Sequence, residues 1–251
     1  MMTAWVVLHK LPLEIGASGP CETINGADVA LYNDDVANDL SSVKIETGIR
    51  LCENVLLRGM LVHSAADYAQ LLVNLAGMHE ATFVEAMNQD ARSLGLRSTS
   101  YTDVTGISDG DRSTAQDQAH LAADLMTEEP VVQGIVDLPE VALPVAGVVE
   151  SFTPFVGQGN VVGVKSGFTN AAGGCDVMAV NDNFISTVIT TYAVVLGEHG
   201  YNALGTAGVD ALDLSRSVRA SIARVRTSSG VEVEWIGSST DEIAAVSHGP
   251  R

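Results

Sequence analysis

The sequence predicts a mixed α/β chain of the α+β kind, with helices filling the first half and an antiparallel sheet with one flanking helix forming the second. Three observations carry this. Apolar residues recur at helical spacing over 54–76 and again over 80–94, where Phe83, Val84, Met87 and Ala91 share one face. From residue 161 onward, short runs rich in β-branched residues are separated by turn-like residues. These strands follow one another without intervening helices, which argues against a doubly wound parallel sheet.

The elements follow in order. Residues 3–9 read as a piece of apolar helix that starts without a capping residue. Residues 11–26 are loop-like, with Pro12, Gly16, Gly19, Pro20 and Gly26. The pattern over 54–76 breaks near His63 and Ser64, so that two helices meet at a serine. Residues 93–112 form a long polar loop with turn signals. Ser113 and Gln116 fit a capping box for a helix over 115–126. Residues 130–159 read as irregular. A strand is predicted at 161–164, then two more at 175–182 and 185–197, joined by the turn-like Asn181-Asp182-Asn183. A helical pattern covers 201–225, and 231–236 with 243–246 suggest a short hairpin. The expected organisation is one domain over 1–228, followed by a tail or short β hairpin over 229–251.

Composition narrows the function. With 251 residues, 46% hydrophobic and 18% charged, the chain is globular. Its net charge of −18 argues against nucleic acid or an anionic membrane surface as partner. The longest charge-free apolar run, 184–197, is too short to span a bilayer. No basic region precedes the apolar run of "MMTAWVVLHK", so no signal peptide is visible. Neither HExxH nor CxxC occurs, and no metal site or cofactor is expected. Cys21 and Cys52 either pair, as in an exported protein, or are separate buried thiols.

The candidate chemistry is a pair of short segments. "GQGNVVG" has the wrong spacing for a dinucleotide loop and precedes a strand, and no GxSxG elbow is present. What remains is Ser64 at the helix junction and Lys165-Ser166-Gly167 on a strand, in a chain with only three lysines. A serine acylase without a histidine needs a lysine-based proton relay, a second hydroxyl to pass protons, and a cationic strand for a substrate carboxylate.

Longer segments carry a resemblance. "SSVKIETGIRLCENVLLRGMLVHSAADYA", "FVEAMNQDARSLGLRSTSYTDVTGI", "STAQD" and "GVKSGFTNAAGG" occur in order, and the likeness runs from Met1 to about Gly197. On these the chain resembles the serine-type D-alanyl-D-alanine carboxypeptidases, low-molecular-mass penicillin-binding proteins. The resemblance implies a DD-peptidase/β-lactamase-like fold with a helical subdomain, lacking the first strands. It implies removal of the terminal D-alanine from peptidoglycan stem peptides ending in D-Ala-D-Ala by an acyl-enzyme route, outside the cytoplasm at the cell wall. Ser64 then matches the second-motif proton relay. Lys165, Ser166, Gly167 and Thr169 belong to the third motif that holds the substrate carboxylate. The backbone N–H of Phe168 would supply half of the oxyanion hole.

Two departures qualify that implication. In the family a Ser-x-x-Lys pair, nucleophile and base, lies immediately before a segment similar to "MMTAWVVL", with which this chain begins. The literal match Ser41–Lys44 lies only 23 residues before Ser64 and is read as a loop strapped over the domain. Ala66 stands where the family usually has asparagine. Loss of a serine nucleophile costs on the order of a millionfold in turnover, so the chain as written is not expected to hydrolyse substrate or to take up β-lactams. It is read as a fragment of an active carboxypeptidase. The alternatives are a pseudoenzyme that binds D-Ala-terminated peptides and a non-catalytic scaffold or interaction domain. The fragment reading also predicts an uncovered sheet edge along 185–197.

Overall fold

A helix apolar on every side has to be covered on every side, and α1 (Met2–Lys10) lies at the centre of the molecule. The computed structural model describes residues 1–184, 187–227 and 243–247. Residues 2–8 of α1 are all buried, among them Trp5, Val6, Val7 and Leu8. Thr3 is compatible with this burial because its hydroxyl donates to the Val104 carbonyl at 2.6 Å. Nine residues without a side-chain cap are too few for a stable isolated helix, so α1 is held by its packing.

Residues 11–52 wrap this centre. β1 (Cys21–Thr23) pairs antiparallel with β2 (Arg50–Cys52), and a Cys21–Cys52 disulfide links directly opposed residues. The paired alternative is therefore the one realised. Between the two strands runs α2 (Gly26–Ala37), an element the loop reading of 11–26 stopped short of. Its start is encoded locally. The Asn25 side chain accepts from the Ala27 and Asp28 N–H groups, and Asp28 accepts from the Asn25 N–H.

Helices α3 (Glu53–Val62), α4 (Ala66–Leu75), α5 (Glu80–Ser93) and α6 (Ala115–Glu128) follow close to their predicted positions. The cap of α6 differs from expectation: Thr114, not Ser113, accepts from the Asp117 N–H at 3.1 Å. Asp117 is engaged elsewhere, accepting from the Ser98 N–H and the Thr99 hydroxyl. Residues 130–159 are more regular than predicted. They form α7 (Pro130–Val136), opened by a proline that needs no hydrogen-bond acceptor there, and a hairpin of β3 (Glu140–Leu143) and β4 (Gly147–Glu150).

The main sheet has the order β5 (Val161–Thr169), β6 (Gly173–Phe184), β7 (Thr187–Glu198) and β8 (Ile243–Ser247). The first three strands form the expected antiparallel meander. The turn expected at Asn181–Asn183 is corrected: these residues are paired within β6. Their polarity is matched locally, since Asn181 accepts from the Thr190 hydroxyl and buried Asp182 meets Arg219 at 3.2 Å. Of the hairpin expected near the end, 231–236 lies outside the described residues. Its other strand is β8, which pairs parallel with β7 over Tyr192–Leu196. The edge expected to be open is thus covered over five residues, and among the described residues 187–191 have no partner on that side. Helix α8 (Ala203–Thr227) packs on the opposite sheet face from the helical core, through Ala207 and Ala211 against Met178, Val180 and Val195.

Glu53 generates a test of this packing. It is 0% exposed, and neither carboxylate oxygen has a hydrogen-bond partner. Burial, with Glu129 nearby, pushes its pKa up to about 7. Its position in the first turn of α3 favours a negative charge by well under 1 kcal/mol in ordinary settings, and dehydration outweighs that. A folded-state pKa above the unfolded value means that the stabilisation from the protonated form is complete below about pH 4.5 and lost as pH rises through about 7. Glu53→Gln is therefore expected to raise stability by on the order of 1–2 kcal/mol at pH 8. The gain should vanish at pH 4, as read from thermal melts at the two pH values.

Candidate active site

The cleft is assembled from two ends of the chain that have no local reason to meet. One side is the corner between α3 and α4. His63 ends α3 with its N–H on the Gly59 carbonyl, and the Ala65 N–H returns to the same carbonyl. Between them Ser64 takes a left-handed backbone conformation, φ 57°. That conformation is costly for a residue with a side chain, and such strain collects at functional positions. The corner is tight because the helices cross over Gly59. A Cβ there would lie 2.3 Å from the ring of Tyr68, which is itself fully buried.

The other side is β5, at the edge of the main sheet. An edge strand turns alternate backbone N–H and C=O groups away from the sheet, which suits it to hold an extended peptide. Lys165 lies on this strand, and its Nζ donates to the Ser64 hydroxyl and to the Ser166 carbonyl. The two residues singled out in the sequence, 101 positions apart, are thus brought into contact. Burial pulls the Lys165 pKa down to about 8, and the field of Asp176 holds it from falling further.

A short connection stitches the two sides. The Phe152 N–H donates to the Val62 carbonyl, and the Phe152 carbonyl accepts the Ser166 hydroxyl at 2.8 Å. The Phe152 ring packs on His63 with centroids 4.2 Å apart, and His63 Nδ1 lies 2.9 Å from the Glu150 carbonyl oxygen. Ser166 therefore already has an acceptor for its proton, and what it offers to a ligand in this arrangement is its oxygen.

The remaining third-motif residues have distinct surroundings. Gly167 has open space where a Cβ would be, so nothing in the fold requires a glycine there. A Cβ at Gly173 or Gly174, by contrast, would lie 2.2 Å from a backbone oxygen. Phe168 is 55% exposed. The Thr169 hydroxyl accepts from the Ala172 N–H at 2.9 Å and closes the β5–β6 turn. Together these groups line a cleft of about 1450 Å³, which also takes in Met1 and Thr3 at the start of α1, Tyr101, and the loop over 104–113. Asn88 pins the chain just before that loop, donating to the Tyr101 carbonyl and accepting from its N–H.

Ser41–Lys44 behaves as a strap. Ser41 lines the cleft, but its carbonyl accepts from the Ala66 N–H, and Lys44 points to solvent beside Glu46 at 3.4 Å. Asp67 faces away from the cleft and accepts from the Val43 N–H, so it does not replace an amide at position 66. Sequence reasoning missed Phe152, His63 and Asp176. Only Asp176 left a signal, as an acid interrupting an apolar strand in "CDVMAV".

Comparison with known proteins agrees with this geometry. The family model for D-alanyl-D-alanine carboxypeptidase matches residues 1–200. A D-alanyl-D-alanine carboxypeptidase of Bacillus subtilis (strain 168) is 30% identical over 94 residues, 37% of this chain and 24% of that protein. A D-alanyl-D-alanine endopeptidase of Escherichia coli (strain K12) is 29% identical over 201 residues, 75% of this chain and 60% of that protein. The chain thus spans less than two thirds of either relative. Among solved structures, a peptidoglycan synthesis regulatory factor from Streptococcus pneumoniae matches with TM-score 0.71 at 23% identity, covering 86% of this chain and 63% of that one. At that identity the likeness speaks to the fold alone.

The corner at Gly59 gives a direct test. Alanine in a helix interior is favoured over glycine by about 0.8–1.0 kcal/mol. Overpacking against an immobile buried ring costs about 1–3 kcal/mol, so the clash is expected to win. Gly59→Ala should lower the denaturation midpoint, measured in urea with unchanged m-value.

Proposed function

The chain belongs to the D-alanyl-D-alanine carboxypeptidase family, and from that premise we propose that its cleft binds the carboxyl end of a peptidoglycan stem peptide terminating in D-Ala-D-Ala. The observation that carries this reading is the contact of Lys165 with Ser64 inside one cleft. In this reading the Lys165 ammonium attracts the terminal carboxylate, and the Ser166 hydroxyl turns from the Phe152 carbonyl to donate to it, with Thr169 beside it. The bare strand at Gly167 leaves room for the peptide backbone to lie against β5. The Phe168 N–H is one oxyanion donor. Ser64, in contact with the lysine, passes protons. The Cys21–Cys52 disulfide supports an oxidising compartment outside the cytoplasm.

The nucleophile is the part these 251 residues do not supply in the family's position. Ser41 and Lys44 do not substitute, because the lysine is turned to solvent. For these residues by themselves we therefore assign binding without turnover, and no covalent reaction with β-lactams. Ala66 is consistent with the same assignment, since a methyl group cannot hold the substrate's peptide carbonyl.

Fluorescent penicillin is expected to leave the chain unlabelled, and a stable adduct would place a nucleophile elsewhere in it. A D-Ala-D-Ala peptide should bind saturably, and Lys165→Ala should weaken it at least about tenfold, the scale of one lost charge-assisted contact. Equal binding by the variant would favour a scaffold role. Because α1 opens into the cleft at Met1 and Thr3, a Ser-x-x-Lys turn added directly before Met1 is expected to confer penicillin labelling. If it does not, Ala66 or another difference has retired the site.

A further inference from the structure

Arg58 is set apart from the other arginines. Arg50, Arg92 and Arg97 are exposed to water, and Arg216 and Arg219 meet Asp213 and Asp182. Arg58 is half-buried on α3, and its Nε is closed off from solvent with no hydrogen-bond partner. Among the described residues no carboxylate lies within ion-pair distance of it. The chain has 31 acidic residues against 13 lysines and arginines, so an arginine without an acid is not explained by scarcity. A guanidinium keeps its charge in a protein, and partial withdrawal from water without an acceptor is costly. The side of Arg58 still open to a partner lines a cavity.

That cavity, of about 500 Å³, lies between α3, α7 and the start of β5, and it shares no lining residue with the cleft of Ser64 and Lys165. Its size falls within the range of about 300–1,000 Å³ of small-molecule sites. Two amides accompany the guanidinium. Asn54 lies one helical turn before Arg58 and so on the same face of α3. Asn181 comes from β6, and because its Oδ1 already accepts from the Thr190 hydroxyl, it offers its NH₂ donors. Val131, Ile135 and Val162 supply apolar walls, and the one carboxylate in the lining, Asp137, stands on the exposed rim. The exposed rim also holds Gly134, inside α7, where a glycine weakens the helix. A Cβ at Gly134 would meet nothing within 4 Å, so packing does not require the glycine, and its effect is to leave the mouth open.

We propose that this cavity is a second binding site, for a small organic carboxylate with a short apolar body. The carboxylate lies against the Arg58 guanidinium, whose planar fork matches two oxygens of one group. The Asn54 and Asn181 amides donate to the same group, and the body rests on Val131, Ile135 and Val162. An inorganic oxyanion would leave those walls unused, and a neutral ligand would leave the guanidinium unanswered. The proposal does not rest on the reading of the Ser64–Lys165 cleft.

Butyrate is a suitable probe, titrated by NMR into the Lys165→Ala chain so that the lysine of the cleft contributes nothing. It is expected to bind saturably and to shift the methyl signals of Val131, Ile135 and Val162. Arg58→Gln should weaken it at least about tenfold, the scale of one lost charge-assisted contact, and Arg58→Lys should keep part of the affinity. Butyramide, similar in shape but uncharged, should bind at least about tenfold more weakly than butyrate. Gly134→Leu should melt no lower than its background, since leucine is the better helix former, and should exclude butyrate by filling the mouth. That variant keeps the test sound if changes at Arg58 disturb the fold. Absence of saturable binding, shifts confined to other residues, or equal binding by Arg58→Gln or by Gly134→Leu overturns the proposal. Butyramide or inorganic phosphate bound as tightly as butyrate overturns the assignment of an organic carboxylate. With Lys165 absent throughout, the outcome stands apart from whether a D-Ala-D-Ala peptide binds in the cleft.

Discussion

An ammonium group withdrawn from water must find acceptors within the protein, and the arrangement of this molecule follows from how Lys165 finds them. The Ser64 hydroxyl oxygen and the Ser166 carbonyl accept hydrogen bonds from it. Each is available only because a separate part of the fold delivers it. Ser64 projects from a strained corner between two helices that cross over a glycine. Ser166 lies on an edge strand whose outer side has no sheet neighbour among the described residues. The connection through Phe152 holds corner and strand at a constant separation. A burial free energy of several kcal/mol for one charge is offset by geometry contributed from three places.

The same accounting explains the unusual acid content of the interior. Glu53 and Asp176 are wholly buried without hydrogen-bond partners, and Asp67 is wholly buried with its carboxylate accepting from the Val43 N–H. Burial raises the pKa of each, to about 7 for Glu53 and Asp67 and about 8 for Asp176. The three play different parts. Asp67 fastens the strap over 38–45 to the start of α4 and so closes one wall of the cleft. Asp176 lies in β6, opposite Ser166 of β5. Glu53 has no functional partner and contributes an alkaline destabilisation. The net charge of −18 is therefore not only a solvated surface.

Much of the fold was legible from the chain alone because its signals are local. Helical periodicity marked α3 to α6 and α8, and β-branched runs marked β5 to β7. The errors have physical causes. The polar Asn181-Asp182-Asn183 resembles a turn, yet it continues a strand because Thr190 and Arg219 happen to lie opposite. The hairpin of β3 and β4 and helix α7 are short, and their stability comes from packing rather than propensity. Helix α2 carried a legible capping box at Asn25 and Asp28 that the glycine-rich loop before it obscured.

For the site, the sequence by itself determined which groups these residues offer: a serine at a helix break, a lysine, hydroxyl and glycine on a strand, and alanine at 66. Those are matters of residue type and order, and no folding can alter them. Only the tertiary structure decided that Ser64 and Lys165 touch across 101 residues, that Ser166 already spends its proton on Phe152, that Lys44 faces water, and that Asp176 stands opposite Ser166. Distance and burial set these interactions, and both are properties of the packed chain rather than of any stretch of it.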